Sequence, residues 1–257
     1  MKSPVGIDSQ IKGTQSVFRA MGVLQCVAHM HPAGITIGEL AQSSQLDRAT
    51  AYRLASCLAE SGFVERDANK VYRLGLQAMQ LGLAAMRAAP LLTACKPLMQ
   101  RLARRTEDTV FLVVRTGDYA HCLHCEEGLF PVKALVLQVG GMRVLGLGSA
   151  GMSLLSRLTD EEIESIYHRH TAEFEQSVTM SQLKKLVEQT RKQGCAMTDR
   201  LVNEEVGGVG MSFELNTGGH AAISIAAISS RMQHPRQIEI ARLISEELRA
   251  AGFTPAS

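Results

Sequence analysis

The sequence has no tryptophan, and aromatic residues make up only 4% of it. Proteins that hold single-stranded nucleic acid stack bases on aromatic platforms, so that class is disfavoured. No stretch approaches the roughly 20 apolar residues of a membrane span. The opening residues, MKSPVGIDSQ, lack the apolar core of a secretion signal, so a cytoplasmic location without membrane attachment is expected. Charge of one sign is missing too, since the net charge is only +2. No global basic field advertises nucleic acid, and charge has to be read locally. Six cysteines in 257 residues fit reduced thiols better than a disulfide framework.

What is present is apolar mass: 46% of the residues are hydrophobic, enough for one large domain or two smaller ones. Residues 1–75 carry eight Lys/Arg against six Asp/Glu, and the remainder is balanced at 19 against 19. The N-terminal part is therefore mildly basic, which permits DNA binding without establishing it.

Val17, Ala20, Met21, Leu24, Val27 and Ala28 recur at helical spacing and predict a helix from Gln15 to His29. His31-Pro32-Ala33-Gly34 stops it. Thr36 and Glu39 then form a capping box, with Ile35 and Leu40 at the hydrophobic-staple positions. This second helix should end near Gln42. A short turn leads to Asp47, a good N-cap for a third helix running to about Ser61. Its inner stripe is Ala51, Leu54, Ala55 and Leu58, and its outer face carries Arg48, Ala49, Thr50 and Arg53. Gly62 ends it. Two alternating segments, Gly62–Arg66 and Lys70–Leu74, flank Asp67-Ala68-Asn69 and predict a β-hairpin. A short helix, a tight turn, a longer helix and a hairpin make a winged helix-turn-helix. The start of the third helix can enter the major groove. There Arg48 and Arg53 can meet phosphates or guanine edges, and Thr50 a phosphate or a thymine methyl. Arg19 is added as a candidate backbone contact, and Lys70 and Arg73 on the wing could reach the flanking backbone. An ordinary three-helix subdomain, or a winged helix for RNA or protein, would share the shape.

Ser16-Val17-Phe18-Arg19-Ala20, Glu39-Leu40-Ala41, Thr50-x-x-Arg53-Leu54, Leu58-x-x-x-Gly62-Phe63-Val64 and Tyr72-Arg73-Leu74-Gly75 together resemble the IclR family of bacterial transcription regulators. One departure is Gln45, where the family usually has Gly. A left-handed residue there costs more without glycine. The resemblance implies three parts: residues 1–75 as the DNA-binding domain, 76–90 as a linker helix, and 91–257 as an α+β GAF-like domain that binds an effector. It also implies operator DNA, a small effector and a second copy of the chain as partners, in a dimer or a dimer of dimers, with no cofactor. Leu76–Met86, apolar on several sides, is expected to form part of the dimer contact.

Beyond Pro90 the patterns predict helices at Leu91–Arg105, Gly151–Leu158, Asp160–His170 capped by Thr159, Ser181–Gln193 and Pro235–Ala251. Strands are predicted at Val110–Val114, Tyr119–Cys125, Val132–Val139, Cys195–Val202, Val209–Leu215 and His220–Ala227. Mixed strands and helices indicate one α+β domain.

Three motifs tempt an enzymatic or nucleotide-binding reading. Gly146-x-Gly148-x-x-Gly151 matches a dinucleotide fingerprint, but another polar helix follows where a second strand should stand. Leu147-Gly148-Ser149-Ala150-Gly151 lacks the first glycine of a nucleophile elbow. In His121-Cys122-Leu123-His124-Cys125, strand alternation puts His121 and Cys125 on one face and Cys122 and His124 on the other. Cys195 reads as a buried inert thiol. No catalytic residue and no metal site is assigned. The alternative remains an enzyme or nucleotide-binding protein with an accessory winged helix.

The family pattern carries the effector pocket onto Leu135, Ser149, Ala150, Asp199, Gly210, Ser224 and Ala226. The family often has polar groups where this chain has Gly146, Met152, Gly210 and Ala226. Their loss leaves room, so the expected effector has an apolar body and one carboxylate, such as an aromatic acid. Ser224 and the backbone N–H groups at the helix start near Ser149 would orient that carboxylate.

Overall fold

The computed structural model describes residues 13–31, 33–87, 90–175, 177–202, 204–215 and 218–255. Pro32 of the expected stop and residues 88–89 of the expected linker fall outside that set. The chain divides into two compact units, Met1–Ala89 and Pro90–Ser257.

In the first unit, α1 (Gln15–His29) is followed by a two-residue strand, β1 (Ile35–Thr36), that was not expected. Then come α2 (Ile37–Ser44), α3 (Arg48–Glu60), β2 (Val64–Arg66), β3 (Val71–Leu74) and α4 (Leu76–Arg87). Thr36 serves twice, closing β1 and capping α2. Its hydroxyl accepts from the Glu39 N–H at 3.4 Å, and its own N–H donates to Glu39 Oε2 at 2.9 Å. Helix α2 runs two residues past Gln42, because the Ser44 hydroxyl is buried and donates to the Leu40 carbonyl at 2.6 Å. Gln45 then takes a left-handed backbone, φ 55° and ψ 33°. Asp47 caps α3 by accepting from the Thr50 N–H at 2.9 Å. The wing sheet is three-stranded and antiparallel, ordered β1-β3-β2. Strand β3 begins at Val71, one residue later than expected, because Lys70 adopts a positive φ of 64° in the turn. Val23, Val27, Leu40, Ala55, Val64 and Tyr72 form the buried centre.

The second unit opens with α5 (Pro90–Thr106), β4 (Thr109–Thr116), β5 (Tyr119–Glu126) and β6 (Met142–Val144). A helical layer follows: α6 (Ser149–Leu155), α7 (Asp160–Arg169), α8 (Thr171–Phe174) and α9 (Met180–Gln193). The chain then adds β7 (Ala196–Asp199), β8 (Val206–Glu214), β9 (His220–Ile228) and α10 (His234–Ala250). The six strands make one antiparallel sheet ordered β6-β5-β4-β9-β8-β7. Alternation gives it two apolar faces. Leu112, Met211, Ile223 and Ile225 face α5 and α10, while Phe111, Val113, Ala222 and Ala226 face α6 and its neighbours.

The expected strand at Val132–Val139 is absent, and those residues form an irregular segment. The edge of β5 they would need is taken by β6, with Tyr119 opposite Val144, and by Gly140 and Gly141, which exchange backbone hydrogen bonds with Cys122. Helix α6 starts at Ser149, two residues earlier than expected, and stops at Leu155. Strand β7 is shorter than expected at both ends, and β8 begins earlier, at Val206.

Candidate functional site

The outer face of α3 presents Arg48, Ala49, Tyr52 and Arg53, all exposed. Spacing of three and four residues aligns them on one side of the helix. Thr50 is half-buried, and its N–H is spent on the Asp47 cap. Tyr52 was missed from sequence, although it lies four residues from Arg48 and its ring is exposed beside Arg53. Arg19 is half-buried on α1, away from the α3 stripe in sequence. Lys70 is exposed at the tip of the wing. Arg73 behaves differently. Its guanidinium pairs with Asp67 and donates to the Ala33 carbonyl at 3.0 Å, so it braces the wing from inside. The Asp67 carboxyl is held below the usual carboxylate range, chiefly by the Arg73 hydrogen bond and then by the Val71 N–H.

The second unit contains a cleft between the sheet and the start of α6, with about 550 Å³ of empty space that is partly open to solvent. Phe111, Val113, Ala120 and Ala226 form its apolar floor. Leu147 and Ala150 come from the α6 side, and Val136, Leu137, Leu201 and Val202 from two flanking loops. Among the described residues the polar lining consists of Arg143, Ser149, Thr198 and Ser224, with no acidic side chain. Gly148 opens α6 at φ 85°, with no side-chain cap on the helix.

Four of the carried-over residues, Ser149, Ala150, Ser224 and Ala226, do line the cleft. Three sit elsewhere. Leu135 is exposed, and its neighbours Val136 and Leu137 take the cleft positions. Asp199 turns away and accepts from the Ser229 hydroxyl at 3.0 Å, while Thr198 faces the cleft. Gly210 lies under the α6 backbone, where a Cβ would stand 2.4 Å from the Ser149 carbonyl. Its missing side chain lets the helix rest on β8, and Gly207 and Gly208 line the cleft instead. Arg143 was missed altogether. The only hint was a lone cation in the apolar stretch Met142-Arg143-Val144-Leu145.

The other motifs resolve structurally. After α6 comes α7, and β6 is an edge strand of an antiparallel sheet, so Gly146-x-Gly148-x-x-Gly151 does not build a βαβ nucleotide site. In β5 the register slips opposite Leu112/Val113, where His124 pairs with Leu112 and Cys122 with Val113. That bulge at Leu123 reverses the alternation. Cys122 and Cys125 therefore share the α6 face, which corrects the sequence assignment. His124 meets Glu126 at 2.8 Å. Among the described residues no three His, Cys, Asp or Glu side chains gather as a metal set. Cys195 is buried, and burial pushes its thiol pKa up, which makes it a poor nucleophile at neutral pH. Among the described residues no single helix is long and apolar enough to cross a membrane.

Residues 16–68 match the family described as the IclR helix-turn-helix domain. Residues 83–252 match that described as bacterial transcriptional regulator IclR, C-terminal. The chain belongs to the IclR family. It is thus a transcription regulator with an N-terminal DNA-binding winged helix-turn-helix and a C-terminal α+β domain. It is 24% identical to the acetate operon repressor of Salmonella typhimurium, over 95% of this chain and 91% of that one. That relative is named as an operon repressor. A structure of an IclR family regulator from Brucella abortus superposes with a TM-score of 0.81 at 19% identity, covering 94% of this chain and 92% of that chain. An IclR homologue from Microbacterium hydrocarbonoxydans, complexed with 4-hydroxybenzoate, superposes with a TM-score of 0.64 at 20% identity, covering 91% and 99%. At these identities the structural likeness is one of fold.

Proposed function

We propose that this IclR-type regulator acts as a homodimer in the cytoplasm and binds operator DNA with an affinity set by a small organic acid in the C-terminal cleft. The observation that carries the effector half is the cleft lining: apolar walls, hydrogen-bond donors and, among the described residues, no acidic side chain. Such a site favours a ligand with an apolar body and an anionic end. The 4-hydroxybenzoate held by the Microbacterium relative has that chemistry. The DNA half rests on the exposed Arg48, Ala49, Tyr52 and Arg53 face of α3. The dimer is supported by α4, where Leu76, Met79, Leu81 and Leu83 are all more than half exposed. Burying the exposed part of each against a second copy contributes on the order of 1 kcal/mol.

A two-fold dimer demands two half-sites on a roughly palindromic operator. The effector changes DNA affinity only by binding one arrangement of the two reading heads better than another. A mobility shift with duplex from the gene's own upstream region, run across salt concentrations, tests the reading. Affinity should fall steeply with salt as counterions are released. Arg53→Ala should weaken binding by about 10- to 100-fold and leave effector titrations unchanged. Preference for RNA over the duplex, or equal DNA affinity of wild type and variant, would overturn the recognition-helix assignment.

A further inference from the structure

Among the described residues Arg143 is the one cation in the cleft lining, and its chemistry is incomplete as it stands. Its Nη2 donates to the Val136 carbonyl, but no carboxylate pairs with it among the described residues. Its side chain is half-buried, and burial pulls its pKa below the ordinary arginine range. A guanidinium removed from water without a counter-ion is costly, and the cost is offset when an anion arrives. Two further groups point the same way. The hydroxyls of Ser149 and Ser224 belong to residues that are only 8% and 5% exposed, and both line this cleft. The space beside the guanidinium also depends on a glycine: a Cβ at Gly148 would stand 3.4 Å from Arg143 Nη1.

We propose that Arg143 is the specificity-determining residue of the cleft, admitting a monocarboxylate with a compact apolar body and discriminating against neutral analogues and diacids. This rests on the effector reading above and adds the rule by which the cleft chooses. One guanidinium neutralises one carboxylate, bidentately where the geometry allows. The apolar floor, with Phe111 and Val113, offers nothing to a second charge. A neutral amide of the same shape would bury its apolar body but leave Arg143 unpaired.

Titration calorimetry on the full chain with benzoate, benzamide and terephthalate tests this. Wild type should bind benzoate about 30-fold more tightly than benzamide or terephthalate, as a charge-assisted pair warrants. Arg143→Met should bring benzoate to within about threefold of benzamide. Arg143→Lys should keep a preference for benzoate, smaller than in wild type, because the charge remains but the planar fork is lost. Equal binding of benzoate and benzamide by wild type, or an undiminished preference in Arg143→Met, overturns the role of Arg143 and leaves the effector cleft standing. Terephthalate binding as tightly as benzoate overturns the monoacid rule. Failure of all three compounds to bind overturns the aromatic-acid reading, and the selection rule falls with it.

Discussion

Gly210 lies directly beneath Ser149: a Cβ on Gly210 would come within 2.4 Å of both the carbonyl carbon and oxygen of Ser149, and within 2.8 Å of the Ala150 nitrogen. Helix α6 therefore sits on bare β8 backbone. Gly210→Ala should lift the first turn of α6 and destabilise the second unit by about 1–3 kcal/mol, the usual cost of overpacking. Ser149 rides on that turn, so benzoate binding should weaken as well. Denaturant unfolding and calorimetry check both, and an unchanged unfolding midpoint would contradict the contact.

Gln45 occupies a left-handed position, φ 55°, at the end of α2. Glycine adopts that conformation without the Cβ penalty. Gln45→Gly is expected to raise the stability of the first unit by up to about 1 kcal/mol, read as a higher melting temperature of the winged helix. Destabilisation by the same change would mean that the Gln45 side chain supplies something the backbone argument omits.

Arg73 and Lys70 share the wing but not a role. Lys70 is exposed at the tip, whereas Arg73 braces Asp67 and Ala33. Lys70→Ala should reduce the salt slope of DNA binding by about 1 and leave stability unchanged. Arg73→Ala should lower the melting temperature and leave that slope nearly intact. The two variants exchanging these effects would reverse the assignment.

Asp118 joins the β4–β5 turn to the end of α7. It accepts from Arg169 Nε at 2.8 Å and Nη2 at 2.9 Å, and lies 3.0 Å from His170 Nε2. Burial opposes its ionisation, but the hydrogen bonds from Arg169 and His170 outweigh burial and hold its carboxyl below the usual range. A depressed folded-state pKa contributes stability above the unfolded-state value, near 4, and that stability is lost as pH falls through the folded value. Asp118→Asn should cost about 1–3 kcal/mol at neutral pH, and the gap should narrow steadily below about pH 4. A gap that persists undiminished to pH 2 would rule out the ionised pair as its cause.

Much of the first unit is legible locally. The Thr36–Glu39 box, the Asp47 cap and the strain at Gln45 each involve groups within three or four residues, and each appears in the structure as the spacing implies. The cleft is legible only in part. Ser224 and Ala226 carry over because β9 forms close to where its pattern places it, and Ser149 and Ala150 carry over as the start of α6. Leu135, Asp199 and Gly210 do not, because each depends on which way a loop or strand end turns. Asp199 is drawn off by the Ser229 hydroxyl.

The sequence by itself determined the winged helix-turn-helix, the α+β character of the second unit and the exposed placing of Arg48, Ala49 and Arg53 on α3, though not that of Tyr52. Those features come from periodicity and capping, which act over a single helical turn. Tertiary structure alone decided the rest. The bulge at Leu123 set which face of β5 Cys125 meets, because pairing with β4 slips there. Competition for the edge of β5 denied residues 132–139 a strand and left Val136 and Leu137 over the cleft. Arg143 entered the cleft lining because β6 took that edge and brought it against Val136, a pairing between segments that no local pattern encodes.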